Sequence, residues 1–209
     1  MRRALVTGGS SPIGAAIAHT LARQGLHVIV QAGANLAAAQ ATAAAIREAG
    51  HSAEAIALDL TRIEETRSTL GAMATDAPIQ VLVHNAGLHR DMPFAAMEFD
   101  DWRQVIDVNL NGFFVALSPL ILPMMRSRWG RIIAISSLAA IAGNRGQTSY
   151  AAAKGGYLAL AKSLTREYAS RGITANVVAP GLIETPETLK LANFEALRAL
   201  CPTGRAGRP

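Results

Sequence analysis

Six short apolar runs, at residues 4 to 6, 27 to 30, 55 to 58, 79 to 83, 132 to 135 and 175 to 178, divide the chain, and the segments between them read as helices. Strand and helix in alternation predict a single doubly wound domain of the Rossmann type: a parallel sheet in a three-layer α/β/α sandwich. Right-handed crossovers would then bring the site to one edge. The first run, Ala4-Leu5-Val6, leads into Thr7-Gly8-Gly9-Ser10-Ser11-Pro12-Ile13-Gly14, after which Ala16, Ile17, Leu21 and Ala22 recur at helical spacing. Strand, tight turn and helix in that order can set a pyrophosphate against a helix amino terminus. An ordinary strand-to-helix turn would look the same in isolation. Leu36 to Ala49 is alanine-rich, and because alanine is a strong helix former it predicts an exposed helix, not a low-complexity tract. With no internal repeat or linker, one domain is expected over 1–209.

Chemistry enters with Tyr150-Ala151-Ala152-Ala153-Lys154. A Tyr and a Lys four apart on a helix project from one face, so the ammonium can sit beside the phenol. A tyrosine ordinarily ionises near pH 10, and a fixed positive charge favours the phenolate. Bringing it to neutrality takes about three units, or roughly 4 kcal/mol. Ser137, thirteen positions before Tyr150, follows the run Arg131-Ile132-Ile133-Ala134-Ile135 and so falls at a strand's carboxyl end, where open α/β sheets bind ligands. Alone, a Tyr-x-x-x-Lys spacing occurs in many helices, and Ser136-Ser137 could simply begin a turn.

Composition narrows the classes. Half of the 209 residues are apolar, which fits one domain with a sizeable core. The longest apolar stretch, Phe113 to Met125, contains Ser118, Pro119 and Pro123 and is too short to span a bilayer, and Met1-Arg2-Arg3 shows no signal-peptide pattern. A single cysteine, Cys201, allows no intrachain disulfide, and the five histidines lack metal-ligand spacing, so no metal is expected. These features point to a cytoplasmic protein without membrane association. A net charge of +5 without a basic run or interleaved aromatics gives no nucleic-acid module, whereas an acidic protein partner would be steered by it.

In order along the chain stand Thr7 to Gly14, Asp59-Leu60, His84-Asn85-Ala86-Gly87, Val108-Asn109-Leu110-Asn111-Gly112, Ser137, Gly143 to Lys154 and Pro180-Gly181-Leu182-Ile183-Glu184-Thr185. Taken together, these motifs resemble the short-chain dehydrogenase/reductase family, and are most similar to its 3-oxoacyl-acyl-carrier-protein reductases. The resemblance implies that Tyr150 protonates a substrate carbonyl oxygen, Ser137 hydrogen-bonds that oxygen, Lys154 holds the nicotinamide ribose and lowers the Tyr150 pKa, and Asn109 anchors a proton-passing water. It further implies that Gly8, Ser10, Ser11, Ile13 and Gly14 cradle the pyrophosphate. Asp59 and Leu60 would meet the adenine, Asn85-Ala86-Gly87 the adenosine ribose, and Pro180, Gly181, Ile183 and Thr185 the nicotinamide side. Arg128 and Arg171 correspond to two arginines that contact the acidic carrier near the active-site mouth. Without the resemblance both read as solvated surface charge.

Two departures stand out. Pro12 replaces a glycine of the family turn and offers no N–H, which predicts weakened pyrophosphate binding. After the second strand, Gln31-Ala32-Gly33-Ala34-Asn35 contains no Asp or Glu to accept from an NAD ribose, nor an arginine for a 2′-phosphate, and NADP(H) is expected in preference to NAD(H). Family members also continue past a segment like 201–209 into a helix and a seventh strand that commonly build an oligomer interface. The chain is thus expected to be shortened or to lack an edge strand, with 184–209 as a substrate lid and a homo-oligomer as its assembly. The reaction implied is NADPH-dependent reduction of a 3-oxoacyl thioester on acyl carrier protein, in fatty-acid or polyketide-type synthesis. Alternatives are a reductase or dehydrogenase of a free small ketone, alcohol or sugar, and a catalytically silent nucleotide-binding subunit.

Overall fold

Alternation of core side chains within each strand explains the architecture of the computed structural model, which describes residues 1–209. On β1 (Arg3–Thr7), Leu5 faces one hydrophobic cluster while Ala4 and Val6 face another. β4 (Ile79–His84) repeats the pattern, with Leu82 on one side and Val81 and Val83 on the other. A sheet apolar on both faces needs a helical layer on each. α1 (Pro12–Arg23) and α2 (Leu36–Glu48) supply one through Ala18, Ala22, Ala39, Ala43 and Ile46. The other comes from α3 (Ile63–Asp76), α5 (Gly112–Leu117), α6 (Ile121–Ser127) and α8 (Thr148–Tyr168). The expectation of an exposed Leu36–Ala49 helix is corrected, since Ala39, Ala43 and Ile46 are fully buried.

All strand pairings are parallel, in the order β3-β2-β1-β4-β5-β6, where β2 is His27–Ala32, β3 Ala53–Ala57, β5 Gly130–Ile135 and β6 Ile173–Val178. The order reverses between β1 and β4, so a crevice opens beyond their carboxyl ends. All six predicted strands are present: β3 is displaced to Ala53–Ala57 and leaves out Leu58, while the others include the expected residues and extend beyond them. Helix α4 (Phe99–Ile106), a π turn (Asp107–Asn111), α5 and α6 form a nearly continuous helical run. Over Phe99–Ser127 it is long and apolar enough to cross a membrane by length and mean hydropathy (1.7), but its inner face packs into the core through Phe113, Ala116, Leu117, Leu120 and Met124. Two short helices, α7 (Ala139–Ala142) and α9 (Phe194–Ala199), complete the chain.

Candidate active site

Tyr150, Lys154 and Tyr157 share one face of α8 because they stand four and three residues apart. Lys154 Nζ donates to the Ile135 carbonyl at 2.9 Å and Ser136 Oγ donates to the Lys154 carbonyl at 2.8 Å, tying the helix twice to the end of β5. That tie brings Ser137 to Tyr150. The Ser137 side chain stands near enough to the Tyr150 phenol to favour its ionised form, and its oxygen accepts the Ala139 amide at 3.2 Å. Lys154 Nζ lies 5.6 Å from the Tyr150 ring centroid.

Burial dominates the electrostatics here. It pushes the Tyr150 phenol up, partly offset by the nearby Ser137 side chain and reinforced by Asp91, and it pushes Lys154 down to about 8. Lys154 is expected to lower the Tyr150 pKa, but in the ligand-free chain burial sets the direction and raises it. Asp91 itself is held by His89 Nδ1 and Gln147 Nε2, both at 2.9 Å, so the 89–91 loop flanks the phenol.

Asn109 sits in the π turn, fully buried. Its Nδ2 donates to the Leu88 and Val105 carbonyls at 2.7 and 2.8 Å, and its own carbonyl accepts from Tyr157 OH at 2.9 Å. Oδ1 has no partner. A Cβ on Gly87 would lie 2.8 Å from Oδ1 and 3.0 Å from Lys154 Nζ, so glycine keeps a hollow open between two unsaturated polar groups.

The glycine turn is packed directly against the loop after β4. Gly8 has φ +60°, and a Cβ there would come 2.9 Å from Ala86 Cα; a Cβ on Gly14 would strike the Gly8 carbonyl. Asn85 Nδ2 donates to the Gly8 carbonyl and Ser11 Oγ at 2.9 and 3.1 Å. Ser11 caps α1 by accepting the Gly14 amide at 3.1 Å, with Pro12 in the first helical turn as expected, and Ser10 and Ile13 lie partly exposed beside it.

Some residues stand elsewhere than expected. Gln31 belongs to β2 itself, buried, accepting the Gly8 amide at 2.9 Å and donating to the Leu58 carbonyl at 2.6 Å. The Leu60 side chain is in the core, which leaves only its backbone for a ligand. Asp59 Oδ1 accepts from the Thr61 hydroxyl and amide, which holds its carboxyl below the ordinary range. Beyond β6, the Pro180 carbonyl accepts the Leu138 amide at 2.8 Å, Gly181 is exposed, and Ile183 pairs with Gly207. Thr188 was not singled out by sequence; its hydroxyl donates to the Ile183 carbonyl at 2.7 Å and accepts the Thr185 amide at 2.8 Å. Arg128 and Arg171 are exposed but immediately precede β5 and β6, at the amino-terminal edge of the sheet. Within one chain they face away from Tyr150, contrary to the expected place at the active-site mouth.

A family model described as short chain dehydrogenase matches residues 2–196. The chain belongs to the short-chain dehydrogenase family. It is 40% identical to the 3-oxoacyl-[acyl-carrier-protein] reductase FabG of Aggregatibacter actinomycetemcomitans, over 98% of this chain and 86% of that protein. The protein of the same name from Escherichia coli (strain K12) is 41% identical, over 98% and 83%. Among solved structures, that of a putative NAD(P) dependent gluconate 5-dehydrogenase from Beutenbergia cavernae, with bound NADP at low occupancy, superposes with a TM-score of 0.94 at 34% identity, covering 100% of this chain and 84% of that one.

The residues present fit the nucleotide that a short-chain dehydrogenase implies. A buried ammonium with one carbonyl partner, an unpartnered Asn109 Oδ1, a capped helix start and no carboxylate after β2 form a donor-rich, anion-tolerant crevice. Two side chains that sequence reading left without a role, His84 and Tyr157, lie fully buried beneath this crevice. For Tyr157 the signal was available, three residues beyond Lys154 on the same helical face.

Proposed function

We propose that this short-chain dehydrogenase reduces a 3-oxoacyl thioester carried on acyl carrier protein to the 3-hydroxyacyl form, with NADPH as reductant. The observation that carries the chemistry is the grouping of Tyr150 with Ser137 and Lys154 at the carboxyl edge of the sheet. The names of the 40 to 41% identical relatives support the substrate class. NADP in the structural neighbour and the absence of an acid after β2 support the cofactor.

When bound, the reduced nicotinamide supplies a hydride. Tyr150, uncharged because burial raises its pKa, gives its phenolic proton to the carbonyl oxygen, and the Ser137 hydroxyl orients that oxygen. Lys154, mostly protonated at neutral pH, binds the nicotinamide ribose and stabilises the phenolate left behind. Asn109 Oδ1 and Lys154 Nζ face one hollow, where a water can return the proton. Gly8, Ser10, Ser11, Ile13 and Gly14 hold the pyrophosphate, Asp59, Leu60 and Asn85 to Gly87 the adenosine, and Pro180, Gly181, Ile183 and Thr185 the nicotinamide side. The single domain closes over substrate with residues 184–209, Arg128 and Arg171 dock the carrier, and the chain works as a cytoplasmic homo-oligomer.

Loss of reduced-nicotinamide absorbance tests this, with NADPH and NADH in turn, on acetoacetyl thioesters of carrier protein and of a short pantetheine analogue. Preference for NADPH and for the carrier is expected. Tyr150→Phe should abolish turnover while keeping NADPH binding within about twofold, and substantial residual activity would remove Tyr150 from the acid role. Arg128→Glu and Arg171→Glu should impair the carrier-bound substrate alone. A second reading, a dehydrogenase of a free hydroxy acid or sugar, is favoured by the gluconate 5-dehydrogenase neighbour. Silence on both thioesters with turnover of a polyol would select it.

A further inference from the structure

His84 ends β4 and pairs with Thr7, the last residue of β1, at the point where the strand order reverses. Its imidazole is fully buried, with Phe113 and Tyr157 edge-on at centroid distances of 5.5 and 5.7 Å. Nε2 lies 3.1 Å from the Asn109 carbonyl oxygen, which can only accept, so Nε2 carries the proton. Nδ1 is then an acceptor, 3.1 Å from Thr7 Oγ1. The Thr7 hydroxyl has one proton for it, and its two lone pairs receive the Asn85 and Ala86 amides, each at 3.1 Å. Every donor and acceptor of the two side chains is used. An imidazolium would turn a second N–H onto an oxygen that already accepts two, and burial, with Lys154 adding to it, pushes the His84 pKa down to about 3.

The two ends of this imidazole grip different parts of the site. Through Thr7 it holds the amides of Asn85 and Ala86, the loop against which Gly8 packs. Through the Asn109 carbonyl it meets Tyr157 OH, which donates to the same oxygen from the α8 face that carries Tyr150 and Lys154. That carbonyl lies in the π turn, where the Gly112 amide also approaches it, so helix, β4 and α8 meet at one oxygen.

We propose that His84 is a positioning residue that joins the nucleotide-binding turn to the Asn109, Tyr150 and Lys154 group through a fixed Nε2–H tautomer. The proposal rests on the reductase reading above, but its arms are separable without turnover. An asparagine at 84 places an oxygen near the Nδ1 position and keeps the Thr7 arm; a glutamine places an amide N–H near the Nε2 position and keeps the Asn109 arm.

His84→Asn is therefore expected to lower kcat roughly five- to tenfold, the scale of one lost buried hydrogen bond, with the NADPH dissociation constant within about twofold of wild type. His84→Gln should weaken NADPH roughly five- to tenfold with a smaller change in kcat, and His84→Phe should lose both. Binding is read by protein fluorescence, and the Tm of each variant is taken alongside. In the ligand-free protein, 15N NMR of the imidazole should show the neutral Nε2–H form unchanged from about pH 5 to 9. Parallel losses in kcat and binding for the Asn and Gln variants, unchanged kinetics in both, a ring that titrates in that range, or a proton on Nδ1 would each overturn the proposal. Failure of the reductase reading would show differently, as a wild-type chain that reduces no thioester while the tautomer and the order of NADPH affinities hold.

Discussion

Lys154 carries its charge into surroundings that disfavour it. Only 2% exposed, with one carbonyl to receive its protons, it has its pKa lowered from 10.5 to about 8 by burial. That difference corresponds to roughly 3 kcal/mol against the charged form. The sign follows from proton counting: between the folded and unfolded values the unfolded chain binds more protons, so stability rises with pH through that window and is lost as pH falls through about 8. In the ligand-free protein, Lys154→Met should be at least as stable as wild type at neutral pH and should lack this rise between pH about 8 and 10.5. Urea unfolding of both proteins at a series of pH values checks it. An equally steep rise in the variant would place its cause in another group. Under the proposed function the nucleotide ribose would give the ammonium hydroxyl partners, and bound NADPH should then narrow the difference between the two proteins at pH 7.

At the scale of elements, Pro12 tests how much of the nucleotide turn is backbone chemistry. It occupies the first turn of α1, its φ suits the helix, and it removes one N–H from a terminus whose Gly14 amide is already taken by Ser11. Pro12→Gly should tighten NADPH roughly tenfold or more, since a hydrogen bond to a charged group contributes about 1.5–3 kcal/mol. It should also lower Tm by a few degrees, because glycine frees the unfolded chain by about 1 kcal/mol. Calorimetric titration and thermal unfolding read the two effects, and an unchanged affinity would mean that phosphate does not meet position 12. The strands around this turn were legible because burial on both faces leaves compact apolar runs such as Val81-Leu82-Val83. Tyr150, Lys154 and Ser137 were legible for a similar reason, being set by helical period and by the end of one strand. The π turn was not. Val108-Asn109-Leu110 has ordinary helical spacing, and the bonds from His84 and Tyr157 to the Asn109 carbonyl come from residues 25 and 48 positions away. Gln31 was misplaced for the same reason: its partners Gly8 and Leu58 lie 23 and 27 positions distant.

For the whole molecule, the decisive fact is that Tyr150 and the two arginines lie at opposite edges of one parallel sheet. Strands of six residues, as in β5 and β6, separate those edges by about 20 Å. A carrier docked on Arg128 and Arg171 of one chain is therefore badly placed to deliver its thioester to Tyr150 of that chain. Delivery to another protomer reconciles the two, and it requires an assembly in which one subunit's amino-terminal sheet edge borders its neighbour's crevice. Co-expression of two inactive forms tests this. One bears Tyr150→Phe with intact arginines; the other bears Arg128→Glu and Arg171→Glu with an intact site. In mixed oligomers, arginines of the first can serve the tyrosine of the second, so turnover of carrier-bound substrate should recover well above either form alone. The pantetheine analogue, which needs no docking, should show no such recovery. If mixed assemblies form and carrier turnover stays at the level of the arginine variant, docking occurs within a chain and must use residues at the carboxyl edge. Arg90, exposed and next in sequence to His89, whose ring lies 6.0 Å from that of Tyr150, would then be the cation to replace first.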